Sequence, residues 1–180
     1  MSTVIGIVQD GKVWMGSDSF ATTEDGVKRN MNSVKKIFTN GPYLIGFIGS
    51  VRVGQVIMPK FFTPPDDIWN FPDELIKQLE SKNCLAVNSE TQTSVQESNF
   101  LIATHDGRLF EILCDFQLNE ITDYTAIGSG THFAYGSLYT TRNMKDPRKR
   151  MKIALETASF FDTSTGPPFC IEEFLEDNVS

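Results

Sequence analysis

Ser2 is the residue in this chain whose position could be chemistry in itself. If Met1 is removed, Ser2 carries a hydroxyl and a free α-amino group on the same residue. Such an amine has a pKa of about 7.7–8.0, so a usable fraction is neutral near pH 7. It lies within reach of its own Oγ and can accept that proton, directly or through water. The result is a nucleophile for attack on a carbonyl carbon that requires no histidine. The plain alternative is a chain that merely begins Met-Ser.

Other chemical motifs fail on spacing. Gly128-Ser129-Gly130 would need a glycine at 133 to be a dinucleotide fingerprint, and Phe133 is there. A nucleophile elbow would need a glycine at 127, and Ile127 is there. The 2 histidines, His105 in a turn and His132 at a helix start, lack paired ligand spacing. A Ser-His-Asp triad is defined by geometry and stays open on spacing alone. The 3 cysteines, Cys84, Cys114 and Cys170, match no zinc or disulfide framework. No metal and no cofactor are expected, and a reducing, cytoplasmic location fits.

The elements that would hold Ser2 begin with a β-branched run, Thr3 to Val8. It lacks alternation, as expected of a strand buried on both faces. Asp10-Gly11 turns it into a second strand that ends at Gly16-Ser17-Asp18. Lys35 to Phe38 and Tyr43 to Ile48 form a second hairpin about Asn40-Gly41. The polar stretch Ser19 to Asn32 reads as a loop or short ribbon beside a cleft.

Ser50 then caps a helix limited by Pro59, and Phe71-Pro72-Asp73 opens another. The polar stretch Asn83 to Ser98 reads as a surface loop. Strands follow at Phe100 to Thr104, Leu109 to Cys114 and Asp123 to Ile127. Two helices come next, from about Thr131 to Thr141 and from Asp146-Pro147 onward. Phe169 to Phe174 is a last strand. Strands and helices arrive in blocks, a pattern that argues against a purely parallel sheet. Two antiparallel sheets face to face, with a helix pair on each outer side, fit the order.

Composition sets the outer limits. The 180 residues form one domain, spanning 1–180. A chain of this length buries about 70% of its unfolded surface. A net charge of −7 argues against nucleic acid, because phosphate binding needs Lys and Arg. The dense basic cluster Arg148-Lys149-Arg150 reads as a solvated helix face. No apolar run reaches the length of a membrane span, and no signal segment opens the chain.

The order Ser2, Asp18, Lys35-Lys36-Ile37-Phe38, Gly46-Phe47-Ile48-Gly49, Gly128-Ser129-Gly130, Asp162, Thr165-Gly166 resembles the proteasome β-subunit and HslV-like peptidase family. The resemblance covers nearly the whole chain, with little from Pro64 to Gln96. It implies an α+β fold, the four-layer αββα sandwich of N-terminal-nucleophile hydrolases. It implies a threonine-type peptidase with Ser2 as nucleophile, freed by loss of Met1.

By the same resemblance Asp18 holds Lys36, and the Lys36 ammonium favours the alkoxide. Lys35 is the rival if the register slips by one. Gly46 would supply the oxyanion N–H, and Ser129 would position the α-amine. Asp162 and Thr165 would support the terminus. Thr22 and Ile48 would bind a substrate strand, and Leu44 would line the first side-chain pocket. The implied partners are peptide or unfolded-protein substrate, a homo-oligomeric ring and an ATPase unfoldase.

Each residue also has a structural reading. Asp18 can cap a turn, Lys36 can be a solvated strand lysine, and Ser129 can be a helix N-cap. Gly46 and Gly49 can simply allow close packing. The chain departs from the family in its serine, which lacks the methyl that restricts χ1 of threonine. Two alternatives therefore stand beside the peptidase: a catalytically inactive ring or scaffold subunit, and a small-molecule amidase of the same superfamily.

Overall fold

The computed structural model describes residues 2–22, 28–30, 35–87, 94–95 and 98–174. Met1 lies outside the described residues, as do parts of the 19–32 and 83–98 stretches. The strands, in chain order, are β1 (Thr3–Gln9), β2 (Lys12–Ser17), β3 (Phe20–Thr22), β4 (Lys28–Asn30), β5 (Ile37–Asn40) and β6 (Tyr43–Gly49). Helices α1 (Val51–Val56) and α2 (Phe71–Ser81) follow. Then come β7 (Ala86–Val87), β8 (Ser94–Val95), β9 (Ser98–Thr104), β10 (Leu109–Ile112), β11 (Leu118–Ile121) and β12 (Tyr124–Gly128). Helices α3 (Thr131–Thr140) and α4 (Pro147–Phe161) precede β13 (Cys170–Phe174).

Two antiparallel sheets result. One runs β12-β1-β2-β13 and the other β11-β10-β9-β6-β5, with β3-β4 and β7-β8 as small ribbons. Three apolar layers separate the elements. Ile5 and Ile7 of β1 join Ala134, Leu138, Met151 and Leu155 under α3 and α4. Val4 faces the other way, with Met15, Leu44, Leu101 and Leu109 between the sheets. Tyr43, Ile45 and Phe47 of β6 pack with Val53, Phe71, Leu75 and Leu79 under α1 and α2. The period-two alternation of a strand thus sends neighbouring residues of β1 and β6 into different cores. The architecture is the α+β, four-layer αββα sandwich.

Local chemistry accounts for the element ends. Asp10 and Gly11 both have positive φ, 54° and 73°, as a type I′ hairpin turn requires. The Ser50 side chain accepts from the Val53 N–H, and Asp146 accepts from Lys149 N–H ahead of Pro147. The second hairpin turns one residue later than Asn40-Gly41 suggests. Asn40 pairs with Tyr43, so Gly41 and Pro42 make the turn. The Asn40 amide instead bonds to the carbonyls of Ile57 and Phe62, fastening the segment after α1. Strand β11 carries no alternating pattern because it is a half-exposed edge strand.

Candidate active site

A cleft of about 590 Å³ opens where the ends of the two sheets face each other. The β1–β12 side contributes Ser2, Gly128 and Ser129. The β6–β9 side contributes Ile48, Gly49, Ser50 and Asn99. Ser2 is 7% exposed, and among the described residues its hydroxyl has no hydrogen-bond partner.

The backbone reaches this point through a tight passage. Thr3 pairs with Gly128, and the Ser129 N–H donates to the Ser2 carbonyl at 3.0 Å. Gly128 has φ +109°, and a Cβ there would overlap that same carbonyl oxygen. A glycine is therefore required by both conformation and space.

Asp18, just after β2, gathers four bonds around the start of β1. Its Oδ1 accepts the Thr3 N–H at 2.9 Å and the Lys36 ammonium at 2.7 Å. Its Oδ2 accepts the Phe20 N–H at 3.0 Å, and its own N–H donates to the Thr3 carbonyl. The Lys36 Nζ also donates to the Phe20 carbonyl. The pair is buried, with side chains 12% exposed for Lys36 and 0% for Asp18. Desolvation pulls the Lys36 ammonium below the usual lysine range, although Asp18 opposes it. Lys36 forms this pair, and Lys35 is exposed.

A second carboxylate closes the other flank. Asp162, at the end of α4, accepts the Ser129 and Thr165 hydroxyls on Oδ2, each at 2.6 Å. Its Oδ1 accepts the Ser164 N–H at 3.1 Å. Burial pushes this carboxyl up, but the three donors outweigh burial and hold it below the usual range. Ser129 is not a helix cap: Gly130 occupies the N-cap position of α3.

Ser2, Asp18, Lys36, Ser129, Asp162 and Thr165 therefore come together, and Ile48 lines the cleft. Two expected residues do not join them. Gly46 lies in the inter-sheet core, where a Cβ would stand 2.5 Å from Met15 Sδ and 2.8 Å from Val4 Cγ1. Leu44, two residues earlier on the same face of β6, is 3% exposed in that core and lines no part of the cleft. Both expectations are corrected by the same fact: the cleft begins past this core, at Ile48 and Gly49. Thr22 ends β3, and its backbone pairs with Lys28.

Sequence reasoning missed Asn99, which pairs with Ile48 across β6 and β9 and reaches the cleft. A lone polar residue opening a strand carries no signal that would have marked it. It also gave Gly49 only a packing role. Phe47 N–H bonds to the Lys36 carbonyl, so alternation directs the Gly49 N–H to the same side of β6.

The sequence matches no family model. Among solved structures, the chain is similar to BPH from Thiobacillus denitrificans in complex with epoxomicin. That match has a TM-score of 0.82 and 19% identity over 99% of each chain. HslV from Trypanosoma brucei matches with TM-score 0.69 and 19% identity, over 95% of this chain and 98% of that one. Anbu, an ancestral β-subunit from Yersinia bercovieri, matches with TM-score 0.69 and 12% identity, over 99% and 84%. At these identities the likeness is one of architecture, and the chain carries the proteasome-like αββα fold of BPH, HslV and Anbu.

Proposed function

We propose that this protein is a peptidase subunit that hydrolyses amide bonds with Ser2 as its terminal nucleophile. The observation that carries this reading is the buried Lys36 ammonium, tied through Asp18 Oδ1 to the amide next to Ser2. A buried cation fastened to the residue after the hydroxyl favours the alkoxide more than a solvated one does.

With Met1 removed, the Ser2 amine takes the hydroxyl proton as Oγ attacks the substrate carbonyl. The new Oγ–C bond forms and the carbonyl oxygen becomes an oxyanion. That proton passes to the leaving nitrogen as the C–N bond breaks. Water, deprotonated by the same amine, then cleaves the ester and restores the hydroxyl. Ser129 gives its own proton to Asp162, so its Oγ is free to accept from the Ser2 amine. Gly49 replaces Gly46 as the oxyanion donor, because Gly49 lines the cleft. Ile48 and the β3 end at Thr22 offer strand edges to an extended peptide.

Binding of epoxomicin by BPH, of the same fold, supports the use of that compound as a probe of Ser2. Assembly into a ring of identical copies, supplied by an ATPase unfoldase, completes the reading. Exposed Phe133, Phe160 and Phe161, packed together on α3 and α4, give such an assembly an apolar face. The three free thiols favour a cytoplasmic setting. Among the described residues no helix is long and apolar enough to cross a membrane.

The test is turnover of a fluorogenic peptide by protein whose first residue is Ser2. Activity lost in Ser2→Ala supports the reading. A folded, correctly trimmed protein with no turnover and no epoxomicin adduct supports a non-catalytic ring subunit instead.

A further inference from the structure

We propose that Thr3 is a positioning residue for Ser2, whose main chain and hydroxyl join the two carboxylates of the site into one hydrogen-bonded circuit. The proposal rests on Ser2 being the nucleophile. The main-chain half is double: Thr3 N–H donates to Asp18 Oδ1, and Thr3 C=O accepts the Asp18 N–H. The side-chain half runs the other way, with Thr3 Oγ1 2.6 Å from Thr165 Oγ1.

The direction of that last bond follows from a proton count. Thr165 has a single hydroxyl proton, and it goes to Asp162 Oδ2. The Thr3 hydroxyl must therefore donate to Thr165. Ser129 also gives its proton to Asp162 Oδ2, and its N–H holds the Ser2 carbonyl. The path Lys36, Asp18, Thr3, Thr165, Asp162, Ser129 ends on the Ser2 carbonyl, and the Ser2–Thr3 peptide bond closes the circuit. Among the described residues, Thr3 alone bonds to Asp18 and, through one hydroxyl, to Asp162.

Burial gives this link its weight. Thr3 and Thr165 are each 0% exposed, so water does not compete for their hydroxyls. Gly130 leaves the room, since a Cβ there would overlap Thr3 Oγ1. Thr3 does not line the cleft. It therefore acts on where Ser2 sits and not on substrate affinity.

The experiment compares wild type, Thr3→Val and Thr3→Ser, each with Ser2 as first residue, by peptide turnover per epoxomicin-labelled site. Valine keeps the shape and removes the hydroxyl. The expected result is a kcat about tenfold lower for valine with KM unchanged, less than the ~100-fold loss of a ~1 Å misplacement because the main-chain bonds to Asp18 remain. Thr3→Ser restores most of that kcat. If the valine variant does not fold, Thr3→Ser against Thr3→Ala, which differ only in the hydroxyl, reads the same contrast. A valine variant with lower Tm but unchanged kcat overturns the proposal, as does a serine variant no better than valine. Turnover in Ser2→Ala equal to wild type overturns the nucleophile reading instead, and this role falls with it.

Discussion

The Lys36 ammonium and the Thr3 amide meet on a single atom, Asp18 Oδ1, at 2.7 and 2.9 Å. A strand that starts at Thr3 and a lysine that precedes β5 are thereby locked together, although β1 and β5 belong to different sheets. The residue one step before Thr3 is Ser2, on the wall of the cleft.

Replacing Lys36 with methionine should remove turnover while leaving the fold. Asp18 keeps the Thr3 and Phe20 N–H donors, so its charge is not stranded. Activity should fall by about 10²–10⁴-fold, the usual weight of a group that assists proton transfer. Asp18→Asn is the harsher change, since it leaves a buried ammonium without its partner. It should lower stability by about 3–5 kcal/mol, measured by urea unfolding.

Gly49→Ala and Gly46→Ala should separate two kinds of damage. Gly49 has φ +101° and faces the cleft, so alanine strains the end of β6 and moves the proposed oxyanion donor. Loss of one such donor costs about 2.7–4 kcal/mol of transition-state stabilisation in other hydrolases. Gly46→Ala should instead overpack Met15 and Val4, lowering stability by about 1–3 kcal/mol with little change in kcat per folded site. Steady-state kinetics beside thermal melts will tell the two apart.

That contrast also shows where reading the sequence ran out. The run Tyr43 to Gly49 is apolar at nearly every position because both faces of β6 are buried, one under helices and one against the other sheet. Without alternation, nothing in the run marks which residues escape the core at its end, so nothing in it corrects the resemblance that puts Leu44 and Gly46 at the cleft. The hairpin at Asp10-Gly11 and the caps Ser50 and Asp146 were readable because turn and cap chemistry is local. Lys36 is legible only through the family resemblance, as the lysine ahead of Ile37-Phe38. The need for glycine at Gly128 was not, because its cause is a carbonyl 126 residues away, that of Ser2.

Asp162 should make stability acid-sensitive. Its carboxyl is held below the usual range when folded, so its contribution is fully present above the unfolded value of about 3.9. That contribution is lost as pH falls through the lower, folded value. The stability gap between wild type and Asp162→Asn should be constant near neutrality and close below about pH 4. Urea unfolding at a series of pH values measures it, and a gap independent of pH would remove Asp162 from this role.

Ser2→Thr should raise kcat. The added methyl restricts χ1 and holds Oγ in fewer positions, while hydroxyl and amine remain. Peptide turnover under saturating substrate provides the comparison, and a large fall would mean that the Ser2 site is shaped for serine alone.

The central claim is that the amine and hydroxyl of Ser2 work together beside a buried cation, and one measurement bears on it directly. Protein beginning at Ser2 is incubated with epoxomicin and its N-terminal peptide is weighed by mass spectrometry. The account requires an adduct on Ser2 that disappears in Ser2→Ala and is strongly slowed in Lys36→Met. A folded, trimmed protein that leaves Ser2 unmodified would contradict it.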